Sequence, residues 1–343
     1  NTSVTLTATA DSGSTFGGWS GDATGSSITV TVTMDSNKSV TATFNVYGDA
    51  GYFAGGLNFN SSSIFYTFFD FIDKLSFSDD SLSTLATTLS KSINSQSACN
   101  SMLAGYFAGG SSNSNYYSFV DKLSFSDDSL STLTATLSYS ITGRSACNST
   151  LVGYFAGGNN SSIYQSFIDK LSFSDDSLST LATTLSKSIN LQSACNSSLA
   201  GYFAGGYNSG NYYSFIDKLL FNDDSLSTLS TTLSQSIRSQ SACNSSLVGY
   251  FAGGTNGSYQ NFIDKLLFSD DSRSTLAAKL SLSVLGQSAC NSILTGYFAG
   301  GYNGNNQDFI DKLLFSDDSQ STLSVTLSRT VYNQSACQSG GIL

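Results

Sequence analysis

Histidine, proline and glutamate are all missing from the 343 residues, so each of the 24 acidic side chains is an Asp. Without His there is no Ser-His-Asp or Cys-His pair, no His-containing zinc site and no imidazole base. Charge of either sign is scarce, at 11% of residues against roughly 25% in an average globular chain. Only 14 residues are basic and the net charge is -10, which excludes the phosphate neutralisation on which nucleic-acid binding rests. No apolar run approaches the roughly 18 residues of a membrane span. Nor does a signal peptide open the chain, because Asn1-Thr2-Ser3 runs straight into a strand pattern; an exported protein would have shed it. What is abundant is Ser, Thr, Asn, Tyr and 31 Gly, with 40% hydrophobic residues, enough for a core in one large domain plus a small one. This composition suits an extracellular or cell-surface protein.

An internal repeat governs the rest. Gly-Tyr-Phe-Ala-Gly-Gly begins at Gly51, Gly105, Gly153, Gly201, Gly249 and Gly296. Each unit continues with a variable Asn/Tyr/Ser stretch, Phe-(Ile/Val)-Asp-Lys-Leu-(Ser/Leu)-Phe, an Asp-Asp turn, Ser-Thr-Leu and Ser-Ala-Cys. Phe167, Asp169, Leu171 and Phe173 alternate with Ile168, Lys170 and Ser172, the period of two that marks a strand. Thr180 to Leu185, the segment around Cys195 and Gly201 to Gly206 read as three further strands. Four short antiparallel strands in about 48 residues are one propeller blade. The expected fold is therefore all-β: a six-bladed β-propeller over residues 47–343 and a small β module over residues 1–46.

The repeat units resemble the kelch-like repeats of bacterial and phage-associated proteins. Gly-Tyr-Phe-Ala-Gly-Gly corresponds to the double-glycine strand end and Ile-Asp-Lys-Leu to the later strand. The Trp of a kelch blade is absent, with Leu85, Leu133 and Leu181 in its neighbourhood, and Ser-Ala-Cys-Asn-Ser replaces the Arg-x-x-His strand. The likeness implies architecture and leaves function open. If the Cys segment is the innermost strand A, each unit is written B-C-D-A. The first blade then lacks strand A, and Ser335 to Gly340 supplies it, closing the ring without a free edge.

Residues 1–46 are different. Val4 to Ala8, Ile28 to Val32 and Ser39 to Phe44 read as strands around Phe16-Gly17-Gly18-Trp19-Ser20-Gly21-Asp22, which holds the only Trp. This stretch resembles the C-terminal half of a divergent internalin B-repeat domain, a spacer module of bacterial surface proteins. The likeness implies a first strand that residues 1–46 do not contain; either it precedes Asn1 in a longer chain, or a neighbouring segment or molecule supplies it.

Four sets of residues are candidates for function. Six cysteines, one per unit, read as buried thiols that pack as small apolar groups, without metal or disulfide. The adjacent Asp-Lys pairs, among them Asp121-Lys122, Asp169-Lys170 and Asp217-Lys218, point to opposite faces of their strand. They predict a ring of inter-blade ion pairs in which the Lys of one pair meets the Asp of the next. The Asp-Asp turns read as solvated rather than calcium-binding, so Asp128, Asp176 and Asp224 with their equivalents make one face of the disc acidic. Lys91, Arg144, Lys187, Arg238 and Arg329, in the D–A segments, make the other face basic. Such complementary ends predict head-to-tail association. The variable B–C stretches, with Tyr117, Tyr164, Tyr213, Tyr259 and Tyr302, combine aromatic contacts with adaptable amides. The first of them, Leu57–Asp70, is the longest and is expected against the N-terminal module.

Together these features predict a non-enzymatic structural or adhesive protein without a cofactor. Its partner is itself, as a homopolymer, or a surface glycan or protein bound by the Tyr/Asn loops.

Overall fold

The computed structural model describes residues 2–10, 14–46, 49–161 and 163–340. All regular elements within them are strands. Strands β1 (Thr2–Thr7), β2 (Ser14–Gly21), β3 (Thr29–Met34) and β4 (Val40–Val46) form the N-terminal module. There β1 pairs antiparallel with β3, and β2 with β4. Trp19 donates its indole N–H to the Ser27 carbonyl and stands 5.0 Å from the Phe16 ring. The module buries little apolar surface, since Val4, Ile28, Met34 and Phe44 are all exposed.

From Ala50 onward the chain makes six four-stranded antiparallel sheets in the order A-B-C-D, the blades of a six-bladed propeller. Blade 2 is typical: A is Ser97–Asn100, B Ala104–Ala108, C Val120–Ser124 and D Leu130–Thr132. In blade 1, strand A is Ser335–Gln338, paired with Ala50–Ala54 in the same register that Ser97–Asn100 keeps with its own strand B. The C-terminal strand thus closes the ring, because any other arrangement leaves a row of unpaired amides at the first blade.

The repeated motif divides its side chains between two interfaces. Tyr106 lies opposite Lys122 in the register, and Phe107 opposite Asp121. Tyr and Lys therefore leave one face of the blade, and Phe and Asp the other. Phe107 packs on Tyr52, Ile72 and Leu89 of blade 1, while Tyr106 joins Phe155 and Leu171 of blade 3. The core is hence six equivalent clusters, each lying between two blades. The first Gly of the motif is set by space. A β-carbon on Gly153 would come within 2.5 Å of Cys99 Sγ in the preceding blade, and each of the other five glycines faces a cysteine likewise. The closing Gly-Gly is set by conformation, as Gly109 and Gly110 have φ of 69° and 93°, the left-handed region.

Both ends of the central channel are tied by hydrogen bonds that run around the ring. Ser95 N donates to Asn333 O, Asn333 to Gly286, Gly286 to Ser239, Ser239 to Leu191, Leu191 to Gly143 and Gly143 to Ser95, at 2.7–3.1 Å. This is a closed cycle of six. At the opposite end, Asn148, Asn196, Asn244 and Asn291 each accept the backbone N–H of the preceding blade's Asn at 3.2–3.3 Å.

Candidate functional site

The charged groups of the motif belong to the blade interfaces. Lys74, Lys122, Lys170, Lys218, Lys265 and Lys312 each reach the next blade and pair with Asp128, Asp176, Asp224, Asp271, Asp318 and Asp80 at 2.6–2.8 Å. The acid is the second of each Asp-Asp turn, which corrects the expectation that Lys122, Lys170 and Lys218 meet the Asp of a neighbouring Asp-Lys pair. Asp121, Asp169 and Asp217 point to the opposite face, as do their equivalents. There each carboxylate accepts Oγ1–H of a Thr in its own strand D at 2.6–2.7 Å. It also accepts a Ser N–H of the preceding blade at 2.7–3.1 Å. These six acids are fully buried, and two or more donors replace their hydration.

Around each Lys–Asp pair the interface repeats a four-residue clamp. The Tyr beside the Lys stacks on the Phe of the next blade's C–D turn, as Tyr106 does on Phe173, with centroids 4.9–5.3 Å apart and planes within 18°. Tyr52, Tyr106, Tyr154, Tyr250 and Tyr297 also donate their hydroxyls to the paired Asp at 2.8–3.1 Å. Burial together with that carboxylate pushes the Tyr hydroxyls well above the ordinary phenol range.

The two acids of each turn thus have different fates. Asp128, Asp176 and Asp224 are ion-paired, and with Asp80, Asp271 and Asp318 they have φ of 54–59°, a left-handed conformation that Asp tolerates. Their charge is not free for assembly, contrary to expectation. The first acids, Asp79, Asp127, Asp175, Asp223, Asp270 and Asp317, are exposed and accept the N–H of the Ser two residues on at 3.0–3.2 Å. Serine hydroxyl and backbone donors hold them below the usual carboxylate range.

The D–A cations also separate. Arg144, expected at the basic face, is buried; its Nη1 pairs with Asp169 at 2.7 Å and the guanidinium lies over Phe167. It stands where the other units have Gln96, Gln192, Gln240, Gln287 and Gln334, whose amides donate to the preceding blade's strand B. Lys91 lies over Tyr117, Lys187 over Tyr213, Arg238 over Tyr207 and Tyr212, and Arg329 over Phe69 and Phe71. Among the described residues these four, and Lys279, have no carboxylate partner.

The variable stretches are hairpins. Leu57–Asn60 pairs with Phe65–Phe68, and shorter pairs follow in blades 2 to 4. Tyr259 is exposed, and the rings of Tyr117, Tyr164, Tyr213 and Tyr302 are half-buried. Tyr302 stands between Tyr259 and Tyr332 at 6.1 and 5.1 Å, and Tyr164 meets Tyr207 edge-on. The long first hairpin leaves the far end of the strand that the N-terminal module enters, and among the described residues it makes no extensive contact with the module's strands, contrary to expectation. It lies instead on blade 6, where Phe59 exchanges backbone hydrogen bonds with the Asn306 side chain.

All six cysteines are buried and unbridged, and burial pushes their thiols up. Among the described residues no group of three or more Cys, Asp, Glu or His side chains is placed to hold a metal. Among the same residues no helix is long and apolar enough to cross a membrane.

Sequence reasoning missed one feature. The A–B turns, at the inner radius of the acidic face, end in Leu103, Leu151, Leu199, Leu247 and Leu294, which are 66–74% exposed. The signal was a Leu two residues after the turn Ser in five of six units.

The fold defines a closed six-bladed β-propeller carrying a small all-β module. Residues 1–47 match the family of the divergent InlB B-repeat domain. A comparison with curated proteins gives no match.

Proposed function

We propose that the chain is a non-enzymatic structural or adhesive protein of the cell exterior whose propellers associate face to opposite face. The observation that carries this reading is the distribution of unpaired charge. Lys91, Lys187, Arg238, Lys279 and Arg329 gather on the face of the B–C hairpins and D–A segments, where they outnumber Asp70 and Asp308, and six exposed first-turn aspartates gather on the other. Opposed faces of this kind attract head to tail and repel head to head, and such contacts propagate instead of closing. The likeness of residues 1–47 to the InlB B-repeat domain supports a modular surface protein, and the kelch-like character of the blades belongs to the same proposal. The repetition of one clamp at every interface supports a scaffold role, since no blade is set apart as a catalytic one.

Sedimentation velocity across a salt series, with electron microscopy of the same samples, tests the reading. Association that weakens as salt screens the faces, and regular stacks on the grid, are the expected results. A monomer at every salt concentration would overturn it. A second reading is favoured by the hairpins, which differ from blade to blade while the rest of the unit repeats. They would bind a surface glycan or protein through Tyr117, Tyr164, Tyr213, Tyr259 and Tyr302. Glycan-array binding lost on Tyr259→Ala would separate that reading from the first.

A further inference from the structure

Among the exposed apolar side chains of the described residues, two sets lie on opposite faces of the disc. On the acidic face the five A–B leucines stand at one radius, as a crown around the channel. The sixth position is filled by Asp49, whose carbonyl accepts the Phe77 N–H as that of Leu103 accepts the Phe125 N–H. The crown is therefore open at blade 1, where the chain enters from the N-terminal module. Exposed apolar groups gathered in this way mark interaction sites. Unlike the B–C hairpins, which differ between units, these leucines recur unchanged in five.

On the basic face the tip of the first hairpin carries Ile64, Phe65 and Tyr66, exposed by 78%, 72% and 54%. Ile64 has a φ of 57°, a strained conformation for a β-branched side chain. In the turns of the next three hairpins this region is occupied by Asn113, Ser161 and Ser209, residues that suit it better. Among the described residues Ile64 and Phe65 have little packing that would offset the strain. Their hairpin is held rigidly from below by Phe59 against Tyr66 and Asn306.

We propose that the leucine crown receives the Ile64–Tyr66 tip of a second copy of this chain. Charge selects that occupant. The tip belongs to the face with the unpaired cations and the crown to the face with the six exposed aspartates, so docking tip into crown brings opposite charges together, whereas crown on crown opposes like charges. The N-terminal module reaches one side of the crown, where Phe44 lines a hollow with Met102 and Leu103, and a single projecting hairpin needs only the side across the ring, at Leu199 and Leu247 of blades 4 and 5. This inference rests on the head-to-tail reading above and adds its apolar contact.

Two variants test it. Ile64→Gly with Phe65→Ser removes the tip and relieves the left-handed strain. Leu199→Ser with Leu247→Ser opens the crown. Both alter exposed side chains, and an unchanged or raised melting temperature verifies the fold. In sedimentation velocity each variant alone is expected to associate at least tenfold more weakly than the wild-type chain. Mixed, they should give a 1:1 complex that grows no further, since each retains the half that the other has lost. Loss in the crown variant alone, with the tip variant associating like wild type, would mean that two crowns meet and would overturn the proposal. If both variants associate as wild type does, the crown and tip are not the contact, although the charge-driven reading stands. A wild-type chain that stays monomeric removes both.

Discussion

Gly153 and Cys99 show how a residue choice is fixed from outside its own strand. Backbone φ at Gly153 is ordinary, so glycine is needed there only because Sγ of the preceding blade fills the space of a side chain. Gly153→Ala is expected to lower stability by about 1–3 kcal/mol through overpacking. Cys99→Ala alone should lose about 1 kcal/mol. If the clash is the cause, the double variant recovers most of the loss from Gly153→Ala, and urea unfolding of the four proteins reads the coupling. Additive losses would show that Gly153 serves some other need. Arg144 teaches the complementary lesson. Aligned with the other units it replaces a Gln that spans two blades, and its charge is spent on Asp169 inside its own blade. The repeat alignment contained that signal, because a lone cation in a column of buried-type amides is a poor candidate for an exposed face.

At the scale of the element, strand identity and phase were legible and partner identity was not. Period-two alternation in Phe167–Ser172 and a strand A left over at the C-terminus follow from side-chain direction and edge pairing, which are local rules. The partner of Lys122 depends on where a turn of the next blade lies, and no local pattern carries that. The Asp-Asp turns were read as two equivalent acids because sequence does not display φ. Asp176 combines two demands: a left-handed backbone and a carboxylate for Lys122 and Tyr106. Asp176→Asn keeps the first and loses only the ion pair, a partly exposed one, so a loss of no more than about 1 kcal/mol is expected. Asp176→Val adds a β-branched residue at positive φ, a further ~1–3 kcal/mol. Urea midpoints measure both. Equal losses would show that the ion pair alone matters.

For the whole molecule, the absence of histidine becomes a statement about stability. With no side chain of ordinary pKa between those of the aspartates and the tyrosines apart from buried, raised thiols, side-chain charge stays fixed across neutral pH. The melting temperature should accordingly be flat from about pH 5 to pH 8. On the acid side, Asp79, Asp127, Asp175, Asp223, Asp270 and Asp317 are depressed by serine and backbone hydrogen bonds. A depressed folded pKa stabilises above the unfolded value, about 4, and that contribution is lost as pH falls through the folded one. On the alkaline side, the six interface tyrosines are raised, chiefly by burial. Their contribution is complete below about pH 10 and is lost as pH climbs toward the folded values. Because the same groups recur in every blade and the C-terminal strand locks the ring, the losses should appear as one cooperative transition at each limit. Calorimetry from acid to alkaline pH measures this, and Asp175→Asn should shrink the acid-side fall by removing one of the six contributions. A melting temperature that slopes through pH 6–7 would contradict the assignment, since no side chain in this composition with an ordinary pKa titrates there.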